Sequence, residues 1–228
     1  MSKWSTERWA ASTGVAFAVL LIVSGFLPGS PKKWNASATD IQMCLQGKHR
    51  EIVISMILSG LAIVAVLWFL GSFAGMFRNA GQGRLATVMY GAGVATAGIA
   101  AVGDGIQLGV MKVTSIATAD PNTVAAIYGV GTWIYARIFW PMAALALATW
   151  LASKRSQAMP DWYAWLSLLG GVVFIVSGVS LKNTGFFSIT GGMGVIGFIS
   201  IAVWIGISSL LLVQRVGSEA PSAAPAMG

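Results

Sequence analysis

The sequence predicts an all-α membrane protein: a polytopic bundle of six transmembrane helices with both termini on the cytoplasmic side. Three observations lead there. Charged residues make up 9% of the 228-residue chain, where a soluble domain of this size carries about 25%. Mean hydropathy is +0.77. Apolar stretches near 20 residues long recur along the chain, separated by short segments rich in Gly, Pro, Asn and basic residues. Residues 1–215 form one helical domain, with no room for a second, soluble one.

The first span covers about 10–27. Lys3 and Arg8 precede it, and Pro28 and Pro31 stop it. Its apolar run is longer than the roughly 7–15 residues of a signal-peptide core, so it reads as a retained helix. The longest connection follows, residues 28–50. There Thr39 or Asp40 can cap a short helix carrying Ile41, Met43, Leu45 and His49, which lies at the interface or runs directly into the next span. The second span covers about 51–77 and ends at Arg78. The turn Asn79-Ala80-Gly81-Gln82-Gly83 leads into the third, about 86–110. Asp120-Pro121-Asn122 starts the fourth, about 123–152. Pro141 cannot donate to the Arg137 carbonyl, which predicts a kink and a free acceptor there. The fifth span, about 162–181, opens on an aromatic belt of Trp162, Tyr163 and Trp165. The sixth covers about 187–213. The Pro/Ala/Ser-rich tail, 216–228, reads as disordered.

Orientation rests on the basic residues. Lys3, Arg8, Arg78, Arg84, Lys154, Arg155 and Arg215 fall on the side of the termini. Lys32, Lys33, Lys48, Arg50, Lys112 and Lys182 fall on the other. The two tight loops on the terminal side each carry a basic pair, which favours termini inside and a multi-pass protein of the cell membrane. The net charge of +7 anchors helix ends to lipid headgroups, so the bilayer is the expected partner and nucleic acid is not.

The single cysteine, Cys44, rules out an internal disulfide. The single histidine, His49, lies outside the spans, which excludes a bis-histidine haem site in the bundle. Asp40, Met43, Cys44 and His49 cluster, but without the repeated spacing of a metal site, so no metal or cofactor is expected. No Ser/His/Asp set or paired carboxylates is present, which argues against an enzyme and leaves no catalytic residue to name.

Ala38 to Arg50, with Asp40 and His49-Arg50, precedes Leu67-Trp68-Phe69-Leu70-Gly71 and Arg84. Pro160-Asp161-Trp162 then leads into Leu169-Gly170-Gly171. In these motifs the chain resembles a family of bacterial six-helix membrane proteins whose function is not known. The resemblance covers most of residues 10–215. It implies a topology and no activity.

The third span carries the residues that most need explaining. Gly93, Ala97, Ala101, Gly105 and Gly109 recur every four residues and predict a helix-packing stripe. Asp104 sits at its edge. Asp104 and Arg137 are the acidic and basic residues well inside spans, and a carboxylate in lipid needs a partner or water. With Gln107 they form the expected intramembrane polar set. An ion pair that fixes packing is the bland reading, and a charged lining of a solute path is the functional one. Two functions follow. The first is a non-catalytic structural or accessory subunit that packs with itself or in a larger membrane complex. The alternative is a small transporter or channel for a small or apolar solute, using Asp104, Gln107 and Arg137.

Overall fold

The computed structural model describes residues 3–29, 36–116, 118–180, 182 and 184–218. Among them are eight α-helices and no β-strand: α1 (Lys3–Phe26), α2 (Ala38–Gly47), α3 (His49–Asn79), α4 (Gly83–Thr114), α5 (Pro121–Ala136), α6 (Phe139–Ser156), α7 (Asp161–Gly178) and α8 (Gly192–Ser218). Six stretches are long and apolar enough to cross a membrane: α1, α3, α4, α5 with α6, α7 and α8. The chain is a multi-pass membrane protein.

Several boundaries differ from those the sequence suggests. The fourth span is two helices, broken at Arg137-Ile138 and not at Pro141. Pro141 falls in the first turn of α6, where a missing N–H costs nothing because that turn's amides have no intrahelical acceptor. The Arg137 carbonyl is not free either, because it accepts from the Trp140 amide at 3.3 Å. The short helix is capped by Ser37, whose hydroxyl accepts from the Asp40 amide at 3.1 Å, and not by Thr39 or Asp40. It packs on α4 and α5, and a single residue, Lys48, separates it from α3. The last helix starts at Gly192. Phe186 and Phe187, which lengthen the apolar run, are exposed in a turn before it. Residues 216–218 continue α8, and the rest of the expected disordered tail, 219–228, lies outside the described residues.

Two cores hold the helices. The larger one stacks Phe69, Phe73 and Phe77 of α3 with Met89 of α4, Leu145 of α6, Phe174 of α7 and Trp204 of α8. Phe73 meets Phe69 at 5.1 Å and Trp204 at 6.2 Å between ring centroids, the offset and edge-on geometries aromatic pairs prefer. The Trp204 indole donates to the Ser167 hydroxyl of α7 at 3.1 Å. On the other side α8 packs on α1: the Ser209 hydroxyl donates to the Ala11 carbonyl at 2.6 Å and accepts from the Val15 amide at 3.1 Å.

The smaller core joins Ile41 and Leu45 of α2, Ile52 of α3, Val110 and Met111 of α4, and Val124 of α5. Gln46 donates to the Thr114 carbonyl at 3.1 Å, satisfying one of the orphan acceptors at the end of α4. This second layer exists because α3 and α4 are too long for one bilayer. With 31 and 32 residues they run about 46–48 Å, against about 30 Å of hydrocarbon. The 18-residue α6 and α7 run only about 27 Å. The surplus length of α3 and α4 extends away from the chain ends, where α2 and α5 cover it. We call that the distal side.

Candidate functional site

Asp104 lies on the buried face of α4 with Gly103, Gln107, Val110 and Met111. Its carboxylate accepts a hydrogen bond from the Tyr135 hydroxyl of α5, and the Ser59 hydroxyl of α3 lies beside it. Gly103 makes this possible. A Cβ there would stand 2.9 Å from Cζ of Tyr135, so the ring lies directly against the α4 backbone. Gly131 does the same for Gln107, whose Nε2 sits 3.1 Å from where a Cβ would be. Asp104 and Gln107 are therefore brought together on one buried face, one turn apart.

Arg137 is not part of this set. It is exposed at the end of α5, and the bond to the Asp104 carboxylate comes from Tyr135 instead. The geometry is simple: residues two apart on a helix point about 160° away from each other, so Tyr135 facing α4 sends Arg137 outward. Tyr135 and Ser59 are the partners that the sequence reading missed. A search for neutral donors, rather than for an opposite charge, within one turn of Arg137 would have reached Tyr135. Ser59, inside a long apolar run, carries no such signal.

Along the bundle, the carboxylate lies toward the distal side. Trp140 packs against Gly178, the last residue of α7, and Tyr135 lies more than a turn further out along the chain. Asp104 therefore sits at the distal rim of the short helices, where α3, α4 and α5 begin to form the second layer.

The small-residue stripe splits. Gly93 and Ala97 are buried, and a Cβ on Gly93 would collide with the Leu70 side chain. Ala101, Gly105 and Gly109 are exposed, and nothing lies within 4 Å of a Cβ on either glycine. A four-residue step overshoots the helical repeat by about 40°, so the row turns roughly 160° from Gly93 to Gly109 and leaves the bundle. The packed face follows the true repeat through Gly93, Ala97, Asp104, Gln107 and Met111.

A cavity of about 60 Å³ lies between α1, α3, α4, α6 and α8. Its walls are mostly apolar, including Phe17, Ala97 and Met142. Ser59 and Thr96 supply hydroxyls to the wall, and the Thr96 hydroxyl is spent on the Ala92 carbonyl at 3.0 Å. Ser59 thus belongs to both the cavity and the Asp104 cluster, and Ala100 of the wall is one turn before Asp104. Among the described residues no group of three His, Cys, Asp or Glu is placed to hold a metal ion.

Comparison with protein families, curated proteins and solved structures gives no match. The site's own geometry is what bears on function.

Proposed function

We propose that this is a non-catalytic protein of the bacterial cytoplasmic membrane, with both termini inside, that takes a small, mostly apolar solute between its helices as a small transporter or channel. The observation that carries the reading is the interhelical cavity, with Ser59 linking its wall to a buried carboxylate. The competing account of Asp104, an ion pair with Arg137 that fixes packing, is disfavoured because Arg137 is exposed at the end of α5. At about 10–15 Å³ per water-sized probe, a 60 Å³ cavity accepts a solute of about four to six heavy atoms. Its apolar walls favour alkyl carbon over water.

The test uses n-butanol as probe and thermal unfolding in detergent as readout. Butanol should raise the Tm of the wild type and leave that of Ala97→Leu, which fills the cavity, unmoved. An equal shift in both proteins, or none in either, refutes the reading.

A second reading, a structural or accessory subunit, is favoured by the outward face of α4. Gly91, Gly98, Gly105 and Gly109 all have open space where a side chain would begin. Each costs helix stability of about 0.8–1.0 kcal/mol relative to alanine, and the protein's own packing makes no use of them. Small residues on a lipid-facing surface let another helix approach closely. Mass measurement in mild detergent tests it: Gly98→Leu should shift an oligomer toward monomer. A monomeric wild type removes this reading.

A further inference from the structure

We infer that the solute of this cavity carries a protonated amine, and that Asp104, with Ser59 and Tyr135, receives it. The inference deepens the solute-binding reading and rests on it. Asp104 is 8% exposed, and the polar groups beside it, Tyr135 and Ser59, both present hydroxyls. Hydroxyls satisfy the lone pairs of a carboxylate but leave its charge unmatched, and a buried charge without a counter-charge is costly. Arg137, the cation nearest in sequence to Tyr135, faces outward.

The cavity ends at Ser59 and Ala100, one turn of α4 before this carboxylate. Its wall on α4 runs from Gly93 to Ala100, about 10 Å of helix, and on α3 from Leu70 to Ser59. An ammonium group at the Ser59 hydroxyl stands next to Asp104, and its alkyl chain then lies along the apolar wall toward Leu70. A bare metal ion fits poorly. Cations such as calcium take six to eight oxygen ligands, and this wall offers two hydroxyl oxygens. An alkylammonium of about four to six heavy atoms meets both requirements, charge at one end and hydrocarbon along the rest.

The experiment compares n-butylammonium chloride with n-butanol, equal in length and differing in charge. Each is titrated into the detergent-solubilised full chain with Tm as readout, and sodium chloride controls for ionic strength. The amine should half-saturate at a concentration about tenfold or more below the alcohol, the gain expected for a charge-assisted hydrogen bond. In Asp104→Asn the preference should collapse to within about threefold while butanol binding stays. Should Asp104→Asn fail to fold, Ser59→Ala, which removes the bridging hydroxyl, should reduce the preference in its place.

Butanol binding as well as or better than the amine in the wild type overturns the inference and leaves the cavity reading standing. So does an amine preference that survives in Asp104→Asn, because the head group must then lie elsewhere. Binding of neither probe overturns both readings.

Discussion

Replacing Gly93 and Gly105 by alanine, one at a time, isolates a single steric term. Both positions lie inside α4, so both substitutions gain the same helix propensity, about 0.8–1.0 kcal/mol. They differ in what the new methyl meets. At Gly93 it overlaps the Leu70 side chain, including Cδ2 at 2.7 Å and Cγ at 3.1 Å. Leu70 is 1% exposed, in the same core as Phe69 and Phe73, so it has little room to yield. At Gly105 the methyl meets nothing within 4 Å. Subtracting the two variants cancels the propensity gain and leaves the overpacking cost, about 1–3 kcal/mol. Gly105→Ala should therefore raise stability, and Gly93→Ala should fall about 1–3 kcal/mol below it, measured by equilibrium unfolding in mixed detergent micelles. Gly81, at φ +79°, supplies a contrast. Gly81→Leu is strained by its backbone and should cost more than Gly105→Leu, even though Gly81 is in a loop. Equal stabilities for Gly93→Ala and Gly105→Ala would refute the assignment of the packed face.

Asp104→Asn and Tyr135→Phe should couple by about 0.5–3 kcal/mol in a double-mutant cycle on detergent stability, whereas Asp104→Asn and Arg137→Gln should add within about 0.5 kcal/mol. The reverse pattern would restore the ion pair. Asp120 caps α5, accepting from the Thr123 amide and hydroxyl, each at 3.0 Å, and the Thr123 amide first of all holds its carboxyl below the usual carboxylate range. A depressed folded value means that the cap stabilises above the unfolded value of about 3.9 and that this is lost as pH falls through the folded one. Amide-exchange protection at the start of α5, corrected for the intrinsic rate, should drop as pH falls below about 4, and Asp120→Ala should lack the step. Cys44, half-buried on α2, should react with an impermeant maleimide in intact cells. Reaction only after lysis would reverse the proposed orientation.

Six apolar stretches were legible because hydropathy over some twenty residues is a property of composition, insensitive to detail. What the sequence hid was angular. The row from Gly93 to Gly109 looks like one face when counted in fours, yet the helix turns under it, and only packing shows where it leaves the bundle. The break before α6 was hidden because Pro141 draws attention to itself. The chain turns four residues earlier, where no residue advertises it. Phe186 and Phe187 read as the start of a span since their hydropathy matches one, although the backbone there is a turn. At the site, charge pointed to Arg137 while Tyr135, two residues away and facing the other side, supplies the bond. Asp104 and Gln107 could be chosen in advance because polar side chains are scarce within these stretches. Ser59 could not, since a lone serine in a span commonly bonds its own helix.

The seam between α1 and α8 sets an order on biosynthesis. The Ala11 carbonyl and the Ser209 hydroxyl that meets it are 198 residues apart, so at about 5–20 residues per second roughly 10–40 s separate the making of the two. Throughout that interval Gly14 has Phe69 of α3 against it but not yet Ser209, and the layer formed by α1, α3, α4, α6 and α7 stays open along one edge. The first helix made is finished by the last, and a nascent chain that stalls before Gly192 exposes that edge to lipid and to whatever assists membrane insertion.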